Sequence, residues 1–296
     1  MITSLPWDTE GARLEMPRDL QVAYVVGRMG LATSLDIWPL FWNSRRAART
    51  TFLRLQKLGL IRTFPRCDPS RPAWYALAPR AVELVASEME CDPRELRTVS
   101  GIRRLNKAAI CGRNRFWVSL VLGCRATPDV ELLLFRPEWE LRRLKPSDIN
   151  VVPDAQIVLG DDAQADDMQQ VWLVEFDAGT ERLSVWESKA RAYCAARGYR
   201  AVYGAQRWQV IALVPSMRRA RSVAAAATRG GAGSFIFVGV TDTFDDGRAL
   251  GAAFWPATEL AADPNARPRW SLLGEHDRHR QECHSDTAMP QPEGVL

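Results

Sequence analysis

Val151-Val152-Pro153-Asp154, followed by Trp172-Leu173-Val174-Glu175-Phe176-Asp177-Ala178-Gly179-Thr180, sets two carboxylates on one apolar strand and a third at the edge of another. Side chains alternate along a strand, so Glu175 and Asp177 point to one face while Val174 and Phe176 point to the other. Acidic residues are depleted in strands, and two on one face repel unless a cation or a proton lies between them. With Asp154 they would make a hard-oxygen site suited to Mg²⁺ or Mn²⁺, of the kind used in phosphodiester cleavage. The competing reading is a solvated strand face whose carboxylates pair with arginines, with Asp154 a turn residue after Pro153.

The 296 residues are enough for two domains, each with its own core. Hydrophobic content of 47% and charged content of 25% are those of a soluble globular protein. No apolar run is long enough to span a bilayer, and Met1 to Glu10 lacks the basic and apolar regions of a secretory signal. The six cysteines are scattered, without a Cys-x-x-Cys pair, and read as reduced thiols of a cytoplasmic protein. A net charge of +4 does not announce a polyanion partner, but its distribution is uneven. Arg45, Arg46, Arg49, Arg54, Lys57, Arg62, Arg66 and Arg71 fall close together, and local basic surface governs phosphate contacts.

From Asp19 the spacing predicts three short helices. Ser34 is the expected N-cap of the second, and Asn43 or Ser44 that of the third. The third carries Ala48, Phe52, Leu55 and Leu58 on its apolar face and stops at Gly59. Leu60 to Thr63 follows as a strand, Phe64 to Pro72 as a turn-rich basic loop, and Trp74 to Leu77 as a returning strand. This order is the winged-helix pattern, and Leu53 to Arg62 resembles the end of the recognition helix in winged-helix DNA-binding domains. The resemblance implies that Arg45, Arg46, Arg49, Thr50 and Arg54 face base edges or phosphates, while Arg66 and Arg71 in the wing track the backbone. The alternative is a protein-interaction module with solvated arginines.

Beyond Pro79 to Leu96, read as an interrupted helix, the pattern predicts a long amphipathic helix from Gly101 to Leu122. Strands follow at 130–135, 151–159 and 171–177, then a helix at 180–196, a strand at 208–214, a helix at 217–228 and a strand at 234–240. Helix, three strands, helix, strand is the core order of the restriction-endonuclease-like fold. The chain is thus expected to be mixed α/β. Its parts are an arm (1–18), a winged helix (19–98), a nuclease-like domain (99–258) and a polar, disordered tail (259–296).

The active site of that fold is Pro-Asp followed by acidic-x-Lys on the next strand. Here Pro153-Asp154 and Glu175-Phe176-Asp177 match except that Asp177 stands where the lysine belongs. Lys189, on the following helix with Tyr193 four residues on, is the candidate for a displaced lysine that would orient the attacking water. The chain from 18 to 258 resembles the replication-relaxation family of plasmid and integrative-element proteins, most specifically in the Glu175-x-Asp177-x-Gly179-Thr180 block. The winged-helix pattern makes double-stranded DNA the expected partner, the weakness of one half-site contact makes a second copy of the chain another, and the resemblance implies replication or transfer proteins. No membrane partner is expected.

Other chemistries lack their residues. The three histidines, His276, His279 and His284, all lie in the tail, so no His-hydrophobic-His clamp supports a relaxase and no folded histidine serves a serine hydrolase. A phosphate-cradling Gly-x-x-x-x-Gly-Lys loop is missing too. Two readings remain: a DNA-binding accessory or regulatory protein with a non-cutting nuclease-like domain, and a metal-dependent nuclease or nickase. The second would use Asp154, Glu175, Asp177 and Lys189.

Overall fold

The computed structural model describes residues 18–64, 72–99, 107–127, 130–145, 149–160, 170–197, 203, 207–241, 249, 254–268 and 271–272. Arg66 and Arg71, the three histidines and the expected N-terminal arm to residue 17 lie outside the described residues.

The first unit is α1 (Arg18–Met29), β1 (Ala32–Thr33), α2 (Ser34–Phe41), α3 (Arg45–Lys57), β2 (Ile61–Phe64) and β3 (Trp74–Leu77). Its antiparallel sheet runs β1-β3-β2. Thr33, one residue earlier than expected, caps α2 in a reciprocal capping box with Asp36. Ser44 caps α3, and Gly59 takes φ +73° just beyond it. On α3, Ala48, Thr51, Phe52 and Leu55 are buried. Leu58, expected on that apolar face, is instead 59% exposed, because it is the C-cap, where the chain leaves the helix toward β2. Pro79 to Leu96 resolves into α4 (Val82–Glu88) between two single 3₁₀ turns.

The second unit begins with α5 (Lys107–Ala126), then β4 (Glu131–Pro137), α6 (Glu138–Leu144), β5 (Ala155–Gly160), β6 (Gln170–Phe176), α7 (Leu183–Ala196), β7 (Gln209–Val214), α8 (Met217–Arg229) and β8 (Ile236–Val240). Its sheet is mixed and runs β4-β5-β6-β7-β8-β9, with β9 being Phe254–Pro256. β4, β5 and β6 pair antiparallel; β6, β7 and β8 pair parallel, each parallel step made through a crossover helix, α7 or α8. The molecule is therefore mixed α/β, with a small sheet and a six-stranded one. α9 (Ala257–Ala262) packs on α8 with Leu260 fully buried, so ordered structure continues past the sequence-based boundary at 258.

Strand alternation sorts the core. Leu173, Val210, Ala212 and Val238 face Trp186, Tyr193, Val223 and Leu260 on the helical layer of α7, α8 and α9. Trp172, Val174, Ile211 and Phe237 face Phe116 and Leu120 of α5 on the opposite side. Trp117, Val118 and Val121, also on α5, complete the core of the first unit. One helix thus serves two cores. Polar ties reinforce this junction. Arg28 donates to the Phe135 carbonyl at 2.8 Å and pairs with Glu140 at 3.0 Å, and Trp139 Nε1 donates to the Arg28 carbonyl at 3.3 Å.

Candidate functional site

β6 ends against the N-terminal half of α7, and here the strand carboxylates meet their partners. Leu173 and Glu175 project toward α7, and Asp177, just past the strand, continues the ladder by donating its N–H to the Leu213 carbonyl at 2.9 Å. Residues 186, 189 and 193 stand on one side of α7 at spacings of three and four, so their side chains reach the same strand end.

Glu175 is 1% exposed. Its Oε1 accepts from the Tyr193 hydroxyl at 2.6 Å and its Oε2 from Lys189 Nζ at 2.8 Å. Lys189 is shared with Glu181, at 2.9 Å, and lies 5.2 Å from the centre of the Trp186 ring. Burial works against the ammonium, yet Glu175 and Glu181 outweigh it and raise its pKa. Asp154 stands just ahead of β5, with its Oδ2 accepting the Phe176 N–H at 2.7 Å. Burial raises its pKa above the usual carboxylate range, while the Phe176 N–H and Lys189 oppose the rise.

Asp177 shares the face but not the partners. Its Oδ1 accepts the Gly179 N–H at 2.7 Å, closing a tight turn in which Gly179 has φ +84°. Its Oδ2 accepts Trp186 Nε1 at 2.8 Å and the Arg219 guanidinium at 2.7 and 2.5 Å. Arg219 also donates to the Glu181 carbonyl. The structure therefore brings Asp154, Glu175 and Lys189 together and adds Glu181. It commits Asp177 to joining the start of α7 to α8.

This arrangement does not fit a divalent ion. Both oxygens of Glu175 are occupied by Lys189 and Tyr193, and Asp177 is enclosed by Gly179, Trp186 and Arg219. An ammonium already supplies the positive charge between Glu175 and Glu181. Among the described residues no group of three carboxylates, thiols or imidazoles is placed to hold a metal.

A second candidate surface is the outer side of α3. Arg45, Arg46, Arg49 and Thr50 are exposed, and no carboxylate among the described residues pairs with the three arginines. Arg45 lies 5.8 Å from the Trp38 ring, and Arg46 and Thr50 line a shallow groove with Arg18. Arg54 is also exposed, but it is held by Asp19 of α1.

A family model described as replication-relaxation matches residues 24–210, well over half of the chain. The chain belongs to the replication-relaxation family. The replication-relaxation match takes in α3 and the Asp154, Glu175 and Lys189 cluster, whereas Arg219, the partner of Asp177, lies beyond it. No curated protein and no solved structure matches the chain.

Sequence reasoning assigned no role to Glu181 or Arg219 in this replication-relaxation protein. Glu181 lies in the bend just ahead of α7, so no helical spacing links it to Lys189 and its reach depends on how that bend folds back. Arg219 is 42 residues from Asp177 and gives no local signal.

Burial pushes the Glu175 carboxyl from 4.5 up to about 7, with Lys189 opposing and Asp154 adding to the rise. An acid whose folded pKa lies above its unfolded one holds more protons when folded. Its contribution to stability is therefore largest below the unfolded value and is lost as pH rises toward the folded one. Melting temperature is expected to fall across the window from 4.5 to about 7 in the wild type and to fall less in Glu175→Gln. Equal slopes in the two proteins would place Glu175 in its ionised form throughout.

Proposed function

We propose that this protein binds double-stranded DNA through α3 and acts as an accessory or regulatory protein of a plasmid or integrative element. On this reading the first unit is a winged helix with α3 in the major groove, and the six-stranded unit serves as a nuclease-like platform without turnover. The observation that carries the reading is that Arg45, Arg46 and Arg49 share one exposed helical face with no ion pair among the described residues. Three guanidiniums left without counterions are suited to phosphates and guanine edges, and little on the protein competes for them. Membership of the replication-relaxation family supports a role in replication or transfer of such elements. A second copy on a repeated half-site would supply the affinity that one recognition helix lacks.

Anisotropy titration of labelled duplex DNA at several salt concentrations tests the reading. Salt-sensitive binding, with a slope reporting several released counterions, is expected. A protein that leaves the duplex free at low salt would sink it.

The place of Lys189 favours a second reading, a Mn²⁺- or Mg²⁺-dependent nuclease. Its ammonium reaches Glu175 from the next helix, where a displaced lysine of a Pro-Asp/acidic-x-Lys site would be required. For a metal to enter, Lys189 would have to release Glu175. Supercoiled plasmid incubated with Mn²⁺ is expected to stay intact under the first reading. Nicking by wild type that Glu175→Ala abolishes would establish the second.

A further inference from the structure

A cavity of about 240 Å³ lies where the end of α1 meets α5 and the large sheet, with Gly30, Arg97, Arg113, Asp154, Phe176 and Lys189 in its lining. Arg113 of α5 is only 6% exposed. Its Nη2 donates to the Met29 carbonyl at 3.1 Å, and its Nε has no partner among the described residues. Burial, and to a smaller degree Arg97, lower its pKa; Asp154 and Glu138 act in the other direction, but from beyond ion-pair distance. Arg97 is half-buried and reaches the same cavity. Its stem passes over Gly30, where a Cβ would come within 3.0 Å of Arg97 Cδ, and Gly30 has φ +74°.

Among the described residues, neither guanidinium has a carboxylate within ion-pair distance. Of the other charges of the lining, Glu138 pairs with Arg142 and Lys189 with Glu175 and Glu181, while Asp154 has no ion-pair partner among the described residues and accepts the Phe176 N–H. Holding a buried cation without a counter-charge is costly, and two sharing one cavity is costlier still. A tetrahedral oxyanion relieves both, because its oxygens match the donor fork of a guanidinium.

Size narrows the ligand. The cavity falls below the roughly 300–1,000 Å³ of drug-sized sites. A duplex, whose major groove alone admits a whole helix, cannot enter it. Leu31, Ile110 and Phe176 offer the rest of the ligand an apolar wall. Asp154, turned onto the Phe176 N–H, is the carboxylate that the anion must avoid, which sets the anion on the arginine side. Lys189 and Glu181 keep 24% and 28% of their side chains exposed, so the cavity meets solvent there.

We propose that this cavity binds a phosphate monoester through Arg97 and Arg113, carried by a free mononucleotide or by the phosphorylated end of a DNA strand. The site is separate from the DNA-binding face of α3 and stands whether or not that face binds duplex.

The test uses full-length chain carrying Arg45→Ala, Arg46→Ala and Arg49→Ala, so that binding through α3 does not contribute. Calorimetric titration with deoxyadenosine 5′-monophosphate, and with a short single strand bearing or lacking a 5′-phosphate, reads the cavity. Saturable binding that requires the phosphate is expected, weakened at least about tenfold by Arg97→Met, which removes a charge-assisted hydrogen bond. Binding by the nucleotide alone would assign a free nucleotide, and binding by the phosphorylated strand alone a strand end. Arg113→Met repeats the test at the buried position, with circular dichroism to establish that it is folded. Lack of heat with all three ligands, or binding that survives both Arg97→Met and Arg113→Met, overturns the proposal.

Discussion

Replacing Arg45, Arg46 and Arg49 together by alanine is expected to weaken duplex binding by roughly a hundredfold at moderate salt and to flatten its salt dependence. The reason lies in local structure. Ser44 caps α3, Ala48, Thr51, Phe52 and Leu55 fix its inner face, and Gly59 ends it, so the three arginines are held on a helix whose fold does not depend on them. Their removal leaves the core intact and takes away charge alone. Each phosphate that is no longer neutralised lowers the slope of log affinity against log salt by about 0.9. Helical content and melting temperature of the triple variant should match the wild type. Arg54→Ala is the informative contrast. Arg54 is held by Asp19, so its removal should cost only one exposed ion pair and change binding less than any of the other three substitutions does. An unchanged salt slope in the triple variant would mean that DNA is held elsewhere on the protein.

How far this was legible depends on the distance over which each feature is decided. The outer face of α3 could be read because a cap, a helical repeat and a terminal glycine are local, and the buried positions follow from them. Leu58 departs from the pattern because its exposure depends on where the helix stops, at Lys57, two residues before the glycine. The two-residue strand β1 has no sequence pattern of its own; it exists because β3 lies beside it. β9 and α9 are silent in the sequence because a short strand and one and a half turns of helix carry little periodicity, and both depend on packing against β8 and α8. Alternation in β6 correctly placed Glu175 and Asp177 on the same side as Leu173. It could not say which partners each would find there. Lys189 and Tyr193 are legible as an i, i+4 pair, and both reach Glu175. What separates Asp177 from Glu175 is Arg219, delivered by a crossover helix far along the chain. Similarly, no sequence pattern joins Arg113 to the end of α1; that hydrogen bond exists because α5 belongs to two cores.

Asp177→Ala separates the two roles that the strand carboxylate could have. In the arrangement seen here its side chain is fully buried and pairs with an Arg219 that is 16% exposed. Removing one member of a buried ion pair strands the other, at a cost of about 3–5 kcal/mol. The Trp186 indole N–H and the Gly179 N–H lose their acceptor in the same substitution. A melting temperature lower by roughly 10 °C in metal-free buffer is therefore expected. Arg219→Met should cost less alone, and in the double variant the two effects should fall well short of adding, since they remove one interaction. Had Asp177 served as a metal ligand instead, its charge would be repelled by Asp154 and Glu175 in the metal-free protein. Alanine would then raise the melting temperature there and abolish the stabilisation that added Mn²⁺ gives the wild type. The sign of the shift without metal decides between a strut for α7 and α8 and a ligand, before any cleavage assay is run.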